Sequence, residues 1–86
     1  MVERRTFVIE LGKYSLIRDI VNNGMDGKLL NVPDRQYNME FYHIGLTECS
    51  LFHDGENVII IGGNSIDSII KTKLELEKSG VELRNC

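Results

Sequence analysis

Proline and cysteine are scarce in this chain, which has one proline, Pro33, and two cysteines, Cys49 and Cys86. The cysteines are far apart and show no CxxC spacing, so neither a disulfide framework nor a zinc finger is expected, although arithmetic alone permits a Cys49–Cys86 bridge. Long apolar runs are missing too. Nothing approaches the roughly 18 consecutive apolar residues of a membrane helix, and the apolar run in "MVERRTFVIELG" is too short for a signal peptide. The expectation is a soluble, reduced, cytoplasmic protein with no membrane partner. A basic excess is also absent. The formal charge is −3, which argues against the general phosphate-backbone attraction of a non-specific nucleic-acid binder.

What is present is one small domain, residues 1–86, with 42% apolar content. A domain near this size hides only about 60% of the surface its unfolded chain exposes. The core is expected to be thin, and a homodimer would add buried area.

The periodicity gives an order of elements. "TFVIEL" (6–11) alternates as a buried strand that Gly12 breaks, and "KYSLIRDIVNNG" places Tyr14, Leu16, Ile17, Ile20 and Val21 on one helical arc. Asn23-Gly24 is expected to end that helix with a left-handed residue. "GKLLNV" (27–32) reads as a short strand, and "PDRQYN" reads as loop. In "MEFYHIGL" the apolar residues Tyr42, Ile44 and Leu46 share one parity, which switches at Cys49 and Leu51, so a bulge or a break is placed near Gly45 to Glu48. Asp54-Gly55 reads as a tight hairpin turn. Val58 to Ile61 has no polar alternation, which predicts a central strand covered on both faces. Ile66, Ile69, Ile70 and Leu74 mark a second helix, closed by Ser79-Gly80 with Val81 touching back, and "VELRN" forms a last strand.

The order β-α-(β)-β-β-α-β predicts an α+β fold of the ferredoxin-like sandwich type, a mainly antiparallel sheet with both helices on one face. An α+β roll with a longer β-meander is the structural alternative. The order, with Gly12 after the first strand and "EKSGVEL" closing the second helix, resembles ACT-type regulatory domains. The turn here reads Leu11-Gly12-Lys13, without that family's acidic-Pro-Gly sequence, so effector binding is not carried over.

The stretch "NVIIIGGNSIDSII" (57–70) carries the candidate ligand site: Gly62, Gly63, Asn64 and Ser65, a strand-to-helix junction whose N–H groups would face an anion. It lacks the GxxxxGK[ST] and GxGxxG patterns. Asp67 in the first turn already complements the helix dipole, which favours a structural corner with positive-φ glycines. Arg35 would strengthen an anion site if it converged there.

His43, Cys49 and His53 are the right residue types for a metal or a nucleophile-base pair, but they lack ligand spacing. Glu40, Glu48, Asp54 and Glu56 read as a solvated acidic edge. No catalytic residue, metal or cofactor is expected. On the second helix Leu74 and Leu76 lie about 160° apart at 100° per residue, so one of them faces away from the core. Leu74 and Leu76, together with the aromatic segment Phe41-Tyr42, are the candidate interface residues.

The first reading is a small non-enzymatic protein-interaction or regulatory domain, acting as a homodimer or on a protein partner. The second is a small-ligand or anion sensor using Gly62 to Ser65. A hydrolase or transferase centred on Cys49 and the histidines is a minor third.

Overall fold

A computed structural model describes residues 2–30 and 39–85. Among them, six strands and two helices run in the order β1 (Glu3–Val8), α1 (Tyr14–Gly24), β2 (Gly27–Leu29), β3 (Glu40–Ile44), β4 (Cys49–His53), β5 (Val58–Gly63), α2 (Ile66–Lys78) and β6 (Arg84–Asn85). The strands form one antiparallel sheet in the order β2-β3-β4-β5-β1-β6. Ile17 and Val21 of α1 share a single core cluster with Ile69 and Leu76 of α2, so both helices lie on the same face.

The fold is thus α+β, but its strand order differs from the four-stranded sandwich expected above. The reason is local pairing. The segment "GKLLNV", which that scheme left unplaced, contributes Gly27–Leu29 as an edge strand on β3. Four strands consecutive in sequence then pair in turn as a meander, with β1 returning beside β5. Asn31, Val32 and Arg35 lie outside the described residues.

Several turns differ in detail. Gly24 stays inside α1, and the left-handed residue after it is Asp26, φ 51°, a conformation that Asp tolerates through local hydrogen bonding. The chain then folds back so closely that a Cβ on Gly27 would stand 2.6 Å from the Val21 carbonyl oxygen. The parity break at Gly45 to Glu48 is a hairpin turn rather than a bulge, since Ile44 pairs directly with Cys49. In the β4–β5 hairpin only Gly55 takes a positive φ, and Asp54 Oδ1 instead accepts from the N–H groups of Glu56 and Val58 at 2.8 and 3.1 Å. The Asp54 side chain thereby takes up two N–H groups of the turn, as Asp commonly does.

Helix α2 is capped at Ser65, whose Oγ accepts from Ser68 N–H at 3.2 Å. It ends at Gly80, φ 104°, and Val81 N–H returns to Leu76 O at 3.1 Å. Thr72, fully buried, holds the helix to the β3–β4 turn through an Oγ1 to Oγ1 hydrogen bond with Thr47 at 2.7 Å. No helix among the described residues is long and apolar enough to cross a membrane.

Candidate functional site

The glycine junction is not a nest of N–H donors. Gly62 and Gly63 belong to β5, paired with Arg4 and Glu3 of β1, and neither has a positive φ. Their lack of a side chain serves packing: a Cβ on Gly63 would stand 3.0 Å from Cys49 Sγ and 3.5 Å from Ile69, and one on Gly62 would stand 2.9 Å from Ser50 Oγ. Asn64 and Ser65 are exposed, with Ser65 occupied as the helix cap. The positive-φ corner expected here is replaced by extended strand, because Gly62 and Gly63 continue the β5 ladder into the first residues of β1.

His43, Cys49 and His53 do not meet. Alternation along β3 and β4 turns Cys49 and His53 toward the helices and His43 to the opposite, exposed face. Cys49 is a buried free thiol near Thr47 O, four residues from His53 and so roughly 13 Å away along the strand. Among the described residues no group of three His, Cys, Asp or Glu side chains is placed to hold a metal.

What the sequence did not reveal is a buried polar cluster where α1 crosses β3 and β4. Glu40 is 3% exposed, and its carboxylate accepts from Arg18 Nε at 3.1 and 3.2 Å, from Arg18 Nη2 and from the Tyr42 hydroxyl. Burial pushes the Glu40 carboxyl up, but these hydrogen bonds and the Arg18 charge outweigh it and hold the group below its ordinary value. Burial and the bond to Glu40 push the Tyr42 hydroxyl up to about 12. Beside them, the His53 ring stacks on Tyr14 with centroids 5.7 Å apart, and the Arg18 guanidinium lies 5.7 Å over that Tyr14 ring. His53 Nδ1 accepts from Gly55 N–H at 3.0 Å, which puts the proton of the neutral ring on Nε2, a buried atom without a hydrogen-bond partner among the described residues. Burial lowers the His53 pKa from its ordinary value. These hydrogen bonds tie α1 to β3 through a buried carboxylate. The i, i+2 parity of Glu40 with Tyr42 and Ile44 was the available signal that Glu40 faces inward.

The opposite face of the sheet has a different character. No described helix covers it, and the register sets its side chains in cross-strand rows. One row runs Lys28, His43, Ser50, Gly62, Arg4; the next runs Phe41, Phe52, Ile60, Thr6; a third holds Val58, Val8 and Arg84. Val58 to Ile61 is therefore covered on one face only, with Ile59 and Ile61 buried and Ile60 partly exposed. The expectation of two covered faces fails because Val58 and Ile60 contribute to this outer apolar patch. Phe41 and Phe52 meet edge to face, with centroids 5.8 Å apart. An open depression of about 490 Å³ is lined by Val2, Arg4, Phe41, Ser50, Phe52, Ile60 and Gly62.

The four candidate interface residues divide evenly. Leu76 (0% exposed) and Tyr42 (2%) are enclosed in the core and offer no surface, whereas Leu74 (57%) and Phe41 (41%) are exposed. The core face of α2 is set by Ile69, Thr72 and Leu76, which turns Ile70 and Leu74 outward together.

No protein-family model matches the chain, and comparison with curated proteins and with solved structures likewise gives no match.

Proposed function

We propose that the chain is a small non-enzymatic binding domain that acts through the helix-free face of its sheet. The observation that supports this reading is the outward apolar row of Phe41, Phe52 and Ile60, flanked by Val8 and Val58 and adjoining the open depression at Gly62. A half-exposed aromatic and β-branched patch at the centre of a sheet costs solvation free energy that a bound partner recovers, and large apolar patches of this kind mark interaction sites. The buried cluster at Glu40 supplies rigidity beneath the face.

Native mass spectrometry of the gently purified chain, read for subunit count and non-covalent adducts, tests the reading. Thr6→Glu, at an exposed position on this face, should remove the adducts or partners that the unaltered chain retains. Equal adducts in both would count against the face.

Self-association through α2 is a second reading, supported by Ile70 and Leu74, exposed one turn apart. It is compatible with the first, because the two surfaces lie on opposite sides of the sheet.

A further inference from the structure

His53 ends β4 and is 3% exposed. Its Nδ1 and the neighbouring Asp54 Oδ1 hold the turn that follows: the first accepts from Gly55 N–H at 3.0 Å, and the second accepts from the N–H groups of Glu56 and Val58. The β4–β5 turn thus hangs on two side chains, and a proton disables one of them. Protonation places an N–H on Nδ1, facing the Gly55 N–H, so that a hydrogen bond becomes an opposition of two donors.

The surroundings give the imidazolium no acceptor in place. From α1 the Tyr14 ring stacks on His53, and the Arg18 guanidinium lies over that ring. From β3, Glu40 stands opposite it in register, but the hydrogen bonds from Arg18 and Tyr42 already fill the about four lone-pair sites of that carboxylate. From β5 the paired residue is Ile59, apolar and fully buried. Asp54 is the remaining carboxylate beside the ring, and its Oδ1 is committed to the turn. Asp54 and Glu40 draw the proton on, while burial and Arg18 oppose it, and burial is the largest of these. A charge at this depth is therefore solvated only by movement.

Two lightly held elements meet at this corner. The turn carries Asn57, whose carbonyl accepts from Ile9 N–H at 2.8 Å beyond the end of β1. Helix α1 starts at Tyr14 with no side-chain hydrogen bond from its N-cap, Lys13, so the stack on His53 is a tie between the start of the helix and the sheet. Both lie outside the ladder of β4, β5 and β1 at the centre of the sheet.

We infer that His53 is a proton-operated latch. Neutral, it holds the β4–β5 turn to the first turn of α1; protonated, it releases both while the sheet stays paired. The latch is independent of the proposed binding face, and it makes one corner of the domain responsive to acidification.

Amide exchange and ring nitrogen shifts of the isotope-labelled full chain, followed by NMR from about pH 8 to about pH 5, test the inference. At the upper end the ring shifts should place the His53 proton on Nε2. The open form takes a proton near the ordinary value of 6.5 and the closed form resists it, so opening should grow about tenfold for each pH unit below that value. Protection of the Gly55 amide should fall in the same proportion, and the Tyr14 ring signals should shift with it. Leu51 and Ile61, in the central strands, should keep their protection. His43→Gln, at an exposed position of β3, should leave this behaviour unchanged, whereas His53→Gln should remove the pH dependence at Gly55. Simultaneous loss of protection at Gly55, Leu51 and Ile61 would mean global unfolding and overturn the latch. So would a Gly55 amide whose protection is constant down to about pH 5, or the same pH dependence in His53→Gln. If His53→Gln does not fold, the order of exchange in the unaltered chain and in His43→Gln decides alone.

Discussion

Arg18 donates from Nε to both carboxylate oxygens of Glu40, joining α1 to β3 across 22 positions of sequence. The Tyr42 hydroxyl completes the shell around the same carboxylate. Because Glu40 is almost fully buried, it is the residue most exposed to the loss of a partner. Arg18→Met leaves it with the Tyr42 hydroxyl as its one side-chain donor among the described residues and should lower stability by about 2 kcal/mol, discounted for the 42% exposure of the Arg18 side chain. The double variant Arg18→Met, Glu40→Met should recover part of that loss, since no unpaired charge remains. Urea unfolding of the two variants checks the order.

The same cluster sets an acid limit on stability. His53 is held neutral by burial, below its ordinary value of 6.5, so the unfolded chain binds its proton first and stability falls as pH drops below that value. Glu40 is also lowered, from 4.5, so its contribution is present above that value and is lost as pH falls through its folded pKa. Both shifts act in the same direction, in succession. Urea midpoints should therefore be flat above pH 6.5 and decline below it, and His53→Gln should remove the upper part of the decline while leaving the lower part.

Gly63 is constrained by what faces it. Gly63→Ala places a Cβ against Cys49 Sγ at 3.0 Å, and should cost about 1 to 2 kcal/mol by overpacking. Cys49→Ala in the same chain should cost less than the sum of the two single changes. Additivity in the double-mutant cycle would show that the contact is not the constraint.

Leu74 and Leu76 should respond oppositely to the same change. Leu76→Glu puts an unpaired carboxylate into the core and should prevent folding. Leu74→Glu should leave the melting temperature nearly unchanged and, if α2 mediates self-association, shift the sedimentation profile toward monomer.

These contrasts also show where sequence patterns inform and where they stop. Alternation in "EFYHI" and "CSLFH" gave the inward residues of β3 and β4, and the Gly80 stop with Val81 followed from helix-end chemistry. The paired angular positions of Leu74 and Leu76 showed that one would face outward, but not which, because Thr72 shares the buried face and pulls its centre toward Leu76. The continuous run Val58–Ile61 was misleading, since an apolar residue such as Ile60 can sit on an open face as readily as under a helix. Glu40 and Arg18 are far apart in sequence, and only the α1 crossing brings them together. The shared row of Lys28, His43 and Arg4 was hidden for a similar reason: they come from three strands and become a row only once the register β2-β3-β4-β5-β1 is set.

The helix-free face of the sheet is the proposed functional surface. Site-specific photo-crosslinking in extract of the expression host tests it most directly, with the probe at Thr6 on that face in one chain and at Lys71 on the exposed side of α2 in another. Discrete, saturable adducts are expected from Thr6, lost on competition with unlabelled chain, and only diffuse background from Lys71. Discrete adducts from Lys71 with none from Thr6 would contradict it.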